Sequence, residues 1–527
     1  MQTRSSVLLA LAVFVGCHSA VPEGVYPCTN PGRPSGAPEC PVAWYCRYDS
    51  RCWTSPDPDA GVDAAAALDA STLADAPHVD APACDPTAPP TEVCDGLDND
   101  CDGIIDGPFA SAQCGHESAC ERGHCSPTLR WSQGFAGSGG SAFFDVAVAS
   151  SGASYAVGQL SSADIGHTLS SHGGVDWLAV SLDTSGGVQW TFSAGATDMD
   201  FATCVAESGG LVVVGGYFGS TSTFGSFTFP SGAALVALSA DTGSLRWVRP
   251  LPFLVDKLLM TDDGTLIAAG TMHGSATLGS YVVGADGAYT SAVAAFDPAG
   301  NVVWARDSVV MPENVVVAGI ATLDATHTVA ALTLGDGSVD FGDGHAVVGG
   351  PIGLMVLDSG NGQLAQAARY GTFADTEVNG VAVNARSVCI NGRQTHADFG
   401  AATGNAAFVS CVDRVTLTPI ASSSWAQFTF SLAPSDDEYV YLLGANPGTT
   451  MAMFSGVEIE GAGSFVAQAA SDTLAIEWTR TFGTNPANGF AAVAQDGILS
   501  VVETSASSVD WGMGALPAPL QAGQFDL

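Results

Sequence analysis

The chain has almost no basic residues: 15 Lys and Arg stand against 53 Asp and Glu in 527 residues, the formal net charge is -38, and Lys257 is the single lysine. A surface of that sign repels phosphate backbones, which excludes nucleic acid as a partner. Charge is scarce altogether, at 13%, while 46% of the residues are hydrophobic, so a wholly disordered chain is excluded too. No stretch sustains a helical apolar period. Familiar catalytic signatures are also missing. There is no Gly-x-Ser-x-Gly elbow and no His-Glu-x-x-His, and Lys257 follows no phosphate loop. Gly137 to Ala142 matches a loose dinucleotide pattern, but the β-type run Phe143 to Val148 follows where a helix is required. No catalytic residue is nominated, although acids and bases brought together from separate repeats would be invisible in sequence.

What the chain does have is 63 Gly, 27 Pro and 14 Cys, which points to turns and short strands in an oxidising compartment. Arg4, the apolar run Val7 to Val15, then Gly16 and Cys17 form a secretory signal too short to span a bilayer. Phe14-Val15-Gly16-Cys17 resembles the lipobox of bacterial lipoproteins, with Phe14 where Leu is usual. The resemblance implies a lipoprotein signal peptide over residues 1–17, with Cys17 acylated as the new first residue. His18, rather than Asp, after the Cys implies the outer membrane of a Gram-negative bacterium. An ordinary cleaved signal and a secreted or cell-surface protein is the alternative. With Cys17 acylated, the membrane is reached through the lipid anchor alone.

Residues 18–53 hold Cys28, Cys40, Cys46 and Cys52 beside Trp44, Tyr45 and Trp53, a knot too small for a core without disulfides. Residues 54–83 are rich in Ala, Asp and Pro with no Lys or Arg, the composition of an extended linker. Residues 84–127 carry Cys84, Cys94, Cys101, Cys114, Cys120 and Cys125, whose connectivity spacing alone does not fix. Inside this segment Asp98, Asp100 and Asp102 alternate, Gly103 allows a sharp turn, the Ile104 carbonyl follows, and Asp106 comes next. That spacing curls oxygens around one point and suits Ca²⁺, although Phe109 stands where an EF-hand loop has its Glu. An acidic turn held by disulfides, without metal, is the other reading. The stretch Glu92 to Asp106 resembles the Cys/Asp-rich metal-binding-type repeat of myxobacterial surface proteins, and the resemblance implies a structural metal role.

Residues 128–527 repeat about every 58 residues, a period that signals an array. One marker is a strand carrying Trp131, Trp190, Trp247, Trp304, Trp425 or Trp478, with Gln366 in the remaining place. A second runs from Asp164-Ile165-Gly166 through Asp340-Phe341-Gly342 and Asp398-Phe399-Gly400 to Asp510-Trp511-Gly512, in seven copies. Four short strands per unit give an all-β chain folded as a seven-bladed β-propeller, six or eight blades being the alternatives if the Gln366 unit is misread. The last unit lacks a Trp strand, so Leu129 to Trp131 is expected to complete it and close the ring. The pattern resembles the β-propeller repeats of secreted and surface bacterial proteins, and Ala237 to Trp247 resembles the tryptophan-docking motif of quinoprotein propellers.

The tryptophans either stack on sugars or pack blades; Arg249, Arg306 and Arg480, two residues after a Trp, either form a cationic ring or tie neighbouring blades. Cys389 and Cys411 fall in successive strands of one unit and are expected to pair, leaving Cys204 as a buried apolar residue. The resulting expectation is a lipoprotein that presents a propeller face to a protein or glycan ligand. A quinoprotein-like or glycan-active propeller enzyme and a purely structural envelope protein are the alternatives.

Overall fold

In the computed structural model the described residues are 129–527, apart from short loop segments, and the strands Tyr45–Cys46, Cys52–Trp53, Ser118–Glu121 and His124–Pro127. The chain divides into two compact units, 1–81 and 82–527. In the first, Tyr45–Cys46 pairs with Cys52–Trp53, and Cys46 and Cys52 are register partners.

The second unit carries seven four-stranded antiparallel blades. Their inner strands are Ala142–Val148, Asp200–Ser208, Leu254–Met260, Val316–Asp324, Glu377–Val383, Thr429–Pro434 and Gly489–Gln495. Each strand hydrogen-bonds to the next in sequence, so a blade is a meander whose fourth strand lies on the rim. The expected closure is present: Leu129–Gly137 pairs with Pro519–Asp526 and is the fourth strand of blade 7. Its end runs on to pair Ala136 with Asp164 and Gly137 with Ala163, tying blade 7 to a hairpin of blade 1. Among the described residues no helix is long and apolar enough to cross a membrane.

There is no single central core. Seven separate apolar clusters fill the seven junctions between blades. Both faces of the middle strands are therefore buried, as along Asp176–Leu182 and Gly232–Ser239. This explains why those strands read as Ala, Val and Leu runs without polar alternation. Small side chains let neighbouring sheets approach, and each added methylene would be felt.

The tryptophan marker is a junction device. Trp131, Trp190, Trp247 and Trp304 each lie against a glycine in the turn between the third and fourth strands of the next blade. A Cβ on Gly186, Gly243, Gly300 or Gly362 would come within 2.5 to 3.0 Å of the indole. These glycines have φ of 82°, 65°, 79° and 72°, a conformation in which a Cβ is costly. The indole Nε1 also donates to a carbonyl of that turn, from Trp190 to Ala240 at 2.7 Å, Trp247 to Pro298 at 3.0 Å and Trp304 to Ser359 at 2.8 Å. Gln366 does the same with its amide, donating to Thr416 O at 3.1 Å.

Trp425 corrects the sequence reading. The position opposite the strand bulge, held by tryptophan elsewhere, is Ala421 in blade 5, paired with Cys411. Trp425 lies four residues further on, at the position of Phe135 and Leu251, and is buried. At the two junctions without an indole the turn residue is not glycine: Leu417 and Leu474 take the left-handed conformation, with φ of 54° and 55°, and are buried there. Side-chain volume is thus exchanged across the junction. Trp478 has no such turn to meet, because the third and fourth strands of blade 7, Pro519–Asp526 and Leu129–Gly137, are not consecutive in sequence, and it donates to Gln468 Oε1 at 2.9 Å. His124–Pro127, hairpin partner of Ser118–Glu121 with Cys120 and Cys125 in register, lies beside that same outer strand, Ile476–Phe482.

The second marker sits on the hairpin between the second and third strands, where Ile165, Leu278, Phe341 and Phe399 are buried plugs. Phe399 stacks on Phe408 at 4.4 Å between ring centroids.

Candidate functional site

The inner strands line a central channel of about 760 Å³. In blades 1 to 5 each of these strands bulges at one residue, Phe144, Thr203, Asp256, Ala318 and Asn379. The residues after the bulge, at one level of the wall, are Asp145, Cys204, Lys257, Gly319 and Gly380. Bulges re-aim side chains, and here they set two opposite charges on either side of a buried thiol.

Asp145 turns its carboxylate into the wall, where Oδ2 accepts from Val205 N of blade 2 at 2.9 Å. Burial pushes its pKa above the ordinary value, against the pull of Lys257 and of the Val205 and Val146 amides. Burial, then Asp145, drives the Cys204 thiol well above its usual range, so it is a neutral packing group and free of any disulfide, as expected. Thr203 Oγ1 donates to Val255 O at 2.5 Å, Thr271 Oγ1 to Val315 O at 3.3 Å, and Asn384 Nδ2 to Tyr439 O at 2.9 Å, each crossing to the next blade. Ser154 and Ser500 hydroxyls, 2.9 Å apart, do so across blades 1 and 7. With the Asp145–Val205 bond, these side-chain hydrogen bonds cross five of the seven junctions.

Because Asp145 has its pKa raised in the folded state, its contribution to stability is fully present below the unfolded value and is lost as pH rises through the folded one. Asp145→Asn keeps an acceptor for Val205 N and removes that loss. The variant is expected to gain on the parent between pH 4 and pH 7, each tenfold change in proton affinity being worth about 1.4 kcal/mol. Urea midpoints across that range check it; a gap that shrinks with rising pH would contradict the assignment.

The two ring faces differ. On one, the turns use carboxylates to cap their own amides: Asp183 Oδ1 accepts from Ser185 N and Gly187 N, both at 2.8 Å, and Asp413 Oδ1 accepts from Val415 N at 3.0 Å and Thr416 N at 2.7 Å. The Ser185 hydroxyl foremost holds Asp183 below the usual carboxylate range, and the Thr416 amide does so for Asp413. Part of the acidity of the chain is turn chemistry. The other face, where inner strands begin, is apolar around the channel mouth. Two residues before each bulge come Ala142, Phe201, Leu254 and Val316 in blades 1 to 4 and Glu377 in blade 5. Leu254 is 49% and Val316 43% exposed, Phe144 at its bulge 42%, and Met199 just before the inner strand of blade 2 61%. This collar of large apolar side chains, each left exposed where an inner strand begins, marks a contact surface.

The nominated residues divide clearly. Cys17, Cys28, Cys40, Cys84, Cys94, Cys101 and Cys114, and the loop Asp98, Asp100, Asp102, Ile104 and Asp106, lie outside the described residues. Cys389 and Cys411 form the expected disulfide, buried between the second and third strands of blade 5. Trp131, Trp190, Trp304 and Trp478 are at most 8% exposed, so blade packing and not sugar stacking is their role. Arg306 is spent between blades: Nη1 donates to Gly362 O at 2.8 Å and Nη2 to Phe341 O. Arg249 neighbours Asp297 of the next blade. Neither belongs to a free cationic ring. Among the described residues no cluster of three or more His, Cys, Asp or Glu is placed to hold a metal. The collar and the Asp145–Lys257 pair escaped sequence reasoning, since a bulge leaves no residue signature.

No protein-family model matches the chain, and no curated protein does. Among solved structures it is similar to BamB from Moraxella catarrhalis, with 13% identity and a TM-score of 0.39 over 76% of this chain and 100% of that one. A quinohemoprotein alcohol dehydrogenase from Comamonas testosteroni gives 11% identity and 0.42 over 76% of each chain. A chain of the mitotic checkpoint complex gives 10% identity and 0.44 over 76% of this chain and 96% of that one. At these values nothing about ligands passes from those proteins to this one.

Proposed function

We propose that this chain is a cell-envelope lipoprotein, acylated at Cys17, that presents its propeller as a binding module for a protein partner. The observation that carries the reading is the exposed apolar collar of Phe144, Met199, Leu254 and Val316 where the inner strands of blades 1 to 4 begin. Such side chains stay in water at a cost that a partner's surface relieves, by roughly 25 cal/mol for each Å² covered. In this reading the acidic linker spaces the ring from an outer-membrane anchor. Ca²⁺ held by Asp98, Asp100, Asp102, the Ile104 carbonyl and Asp106 stiffens the segment before the ring, with Cys94 and Cys101 as its staple.

The test is capture from envelope extract with residues 18–527 as bait, in calcium and in chelator, beside the variant Leu254→Asp/Val316→Asp. A partner retained by the parent and lost by the folded variant is the expected result. A partner retained equally by both, or a glycan in its place, overturns the collar as the binding surface. Loss in chelator alone assigns the dependence to a metal.

A further inference from the structure

Blades 1 and 2 meet at a second group of carboxylates far from any motif. Asp176 opens the third strand of blade 1 and Asp200 opens the inner strand of blade 2; both are fully buried. Asp176 Oδ2 accepts from the His172 amide at 3.1 Å and lies 2.6 Å from His172 Nδ1. Asp200 Oδ2 accepts from Ala196 N and Oδ1 from Gly219 N, both at 2.7 Å. Asp176 Oδ1 is different: it is shut off from solvent and has no hydrogen-bond partner. A carboxylate oxygen in that position calls for a proton, a water or a cation.

Its direction narrows the choice. Both carboxylates close on Gly195, where a Cβ would come within 2.5 Å of Asp176 Cγ, 2.6 Å of Asp176 Oδ1 and 2.8 Å of Asp200 Oδ2. Two buried carboxylates that face the same glycine, one with an oxygen lacking a partner, are the kind of donors a hard cation such as calcium takes. The surroundings are stripped of side chains: a Cβ on Gly174 would meet Asp198 O at 2.7 Å, and one on Gly173 would meet Thr197 O at 2.5 Å. The 195–199 loop is held to this corner, Thr197 O accepting from Gly174 N at 3.2 Å, and calcium takes waters beside two carboxylates. Asp198, exposed in the same loop, adds negative charge near Asp200.

We propose that Asp176 and Asp200 form a calcium site that pins blade 1 to blade 2. The site uses neither Leu254 and Val316 of the collar nor the Asp98 to Asp106 loop. It also comes with its own reporter, since Trp177 follows Asp176, is buried, stacks on Phe218 at 4.5 Å and donates from Nε1 to Tyr217 O at 2.8 Å.

The experiment uses residues 18–527 stripped with chelator and titrated with Tb³⁺, with excitation of tryptophan. Saturable sensitised emission, displaced by excess Ca²⁺, is expected. Asp176→Asn should weaken it at least ~10-fold with an unchanged circular dichroism spectrum. Asp98→Asn/Asp100→Asn/Asp102→Asn should leave it intact. Trp177→Phe should abolish the emission while calorimetric binding of Ca²⁺ persists, which keeps the test valid should Asp176→Asn misfold. Absent emission in the parent, emission that survives Asp176→Asn, or emission lost in the triple loop variant overturns the site.

Discussion

A chain shortened to begin at Gly140 is expected to form no folded monomer, whereas one beginning at Thr128 should melt cooperatively. The shortening removes only the strand Leu129–Gly137, yet that strand is the outer quarter of blade 7 and meets blade 1 as well. With it go Trp131, which lies against Gly186, and Phe135, 2% exposed and set edge-on to Phe143 at 6.4 Å. Losing a buried Trp or Phe costs about 3–5 kcal/mol each, and a domain has only about 5–15 kcal/mol in total. Pro519–Asp526 would in addition become an unpaired edge open to other chains. Size-exclusion chromatography and thermal melts of the two chains check the expectation. A synthetic Leu129–Gly137 peptide should restore part of the folded signal by strand addition. Cooperative melting of the shorter chain without peptide would show that the ring does not depend on this closure.

That closure was legible in the sequence because two independent markers kept the same period and the last repeat was one strand short. Blade count and the Cys389–Cys411 pairing were legible for the same reason: position within a repeat converts directly into strand and register. Trp425 misled because a tryptophan four residues away imitates the marker, and only the pairing of Ala421 with Cys411 exposes the difference. The collar was hidden for another reason. Leu254 and Val316 are ordinary strand residues, and their exposure follows from sitting at the channel mouth, which no local pattern encodes. Asp176 and Asp200 are 24 residues apart in sequence and in different blades, so nothing in either neighbourhood announces the pair.

Gln366→Trp on its own is expected to lower stability by about 1–3 kcal/mol, although it installs the residue that four other junctions use. The cause lies across the junction. Trp131, Trp190, Trp247 and Trp304 each meet a glycine, but the turn facing Gln366 carries Leu417, buried to 3% exposure. An indole there would overlap the leucine side chain. Leu417→Gly alone should also cost stability, because buried apolar contact is lost, though relief of a left-handed leucine, about 1–2 kcal/mol, returns part of it. Together the two changes rebuild the junction found between blades 1 and 2, so the double variant should be more stable than either single one. A favourable coupling of about 1–3 kcal/mol in a denaturant double-mutant cycle is the expected reading. Were the two costs simply to add, shape exchange would not be what pairs indole with glycine at four junctions and a smaller side chain with leucine at two. The choice of turn residue would then have to come from the turns themselves, yet Leu417 and Leu474 hold the same backbone conformation as Gly243 and Gly362.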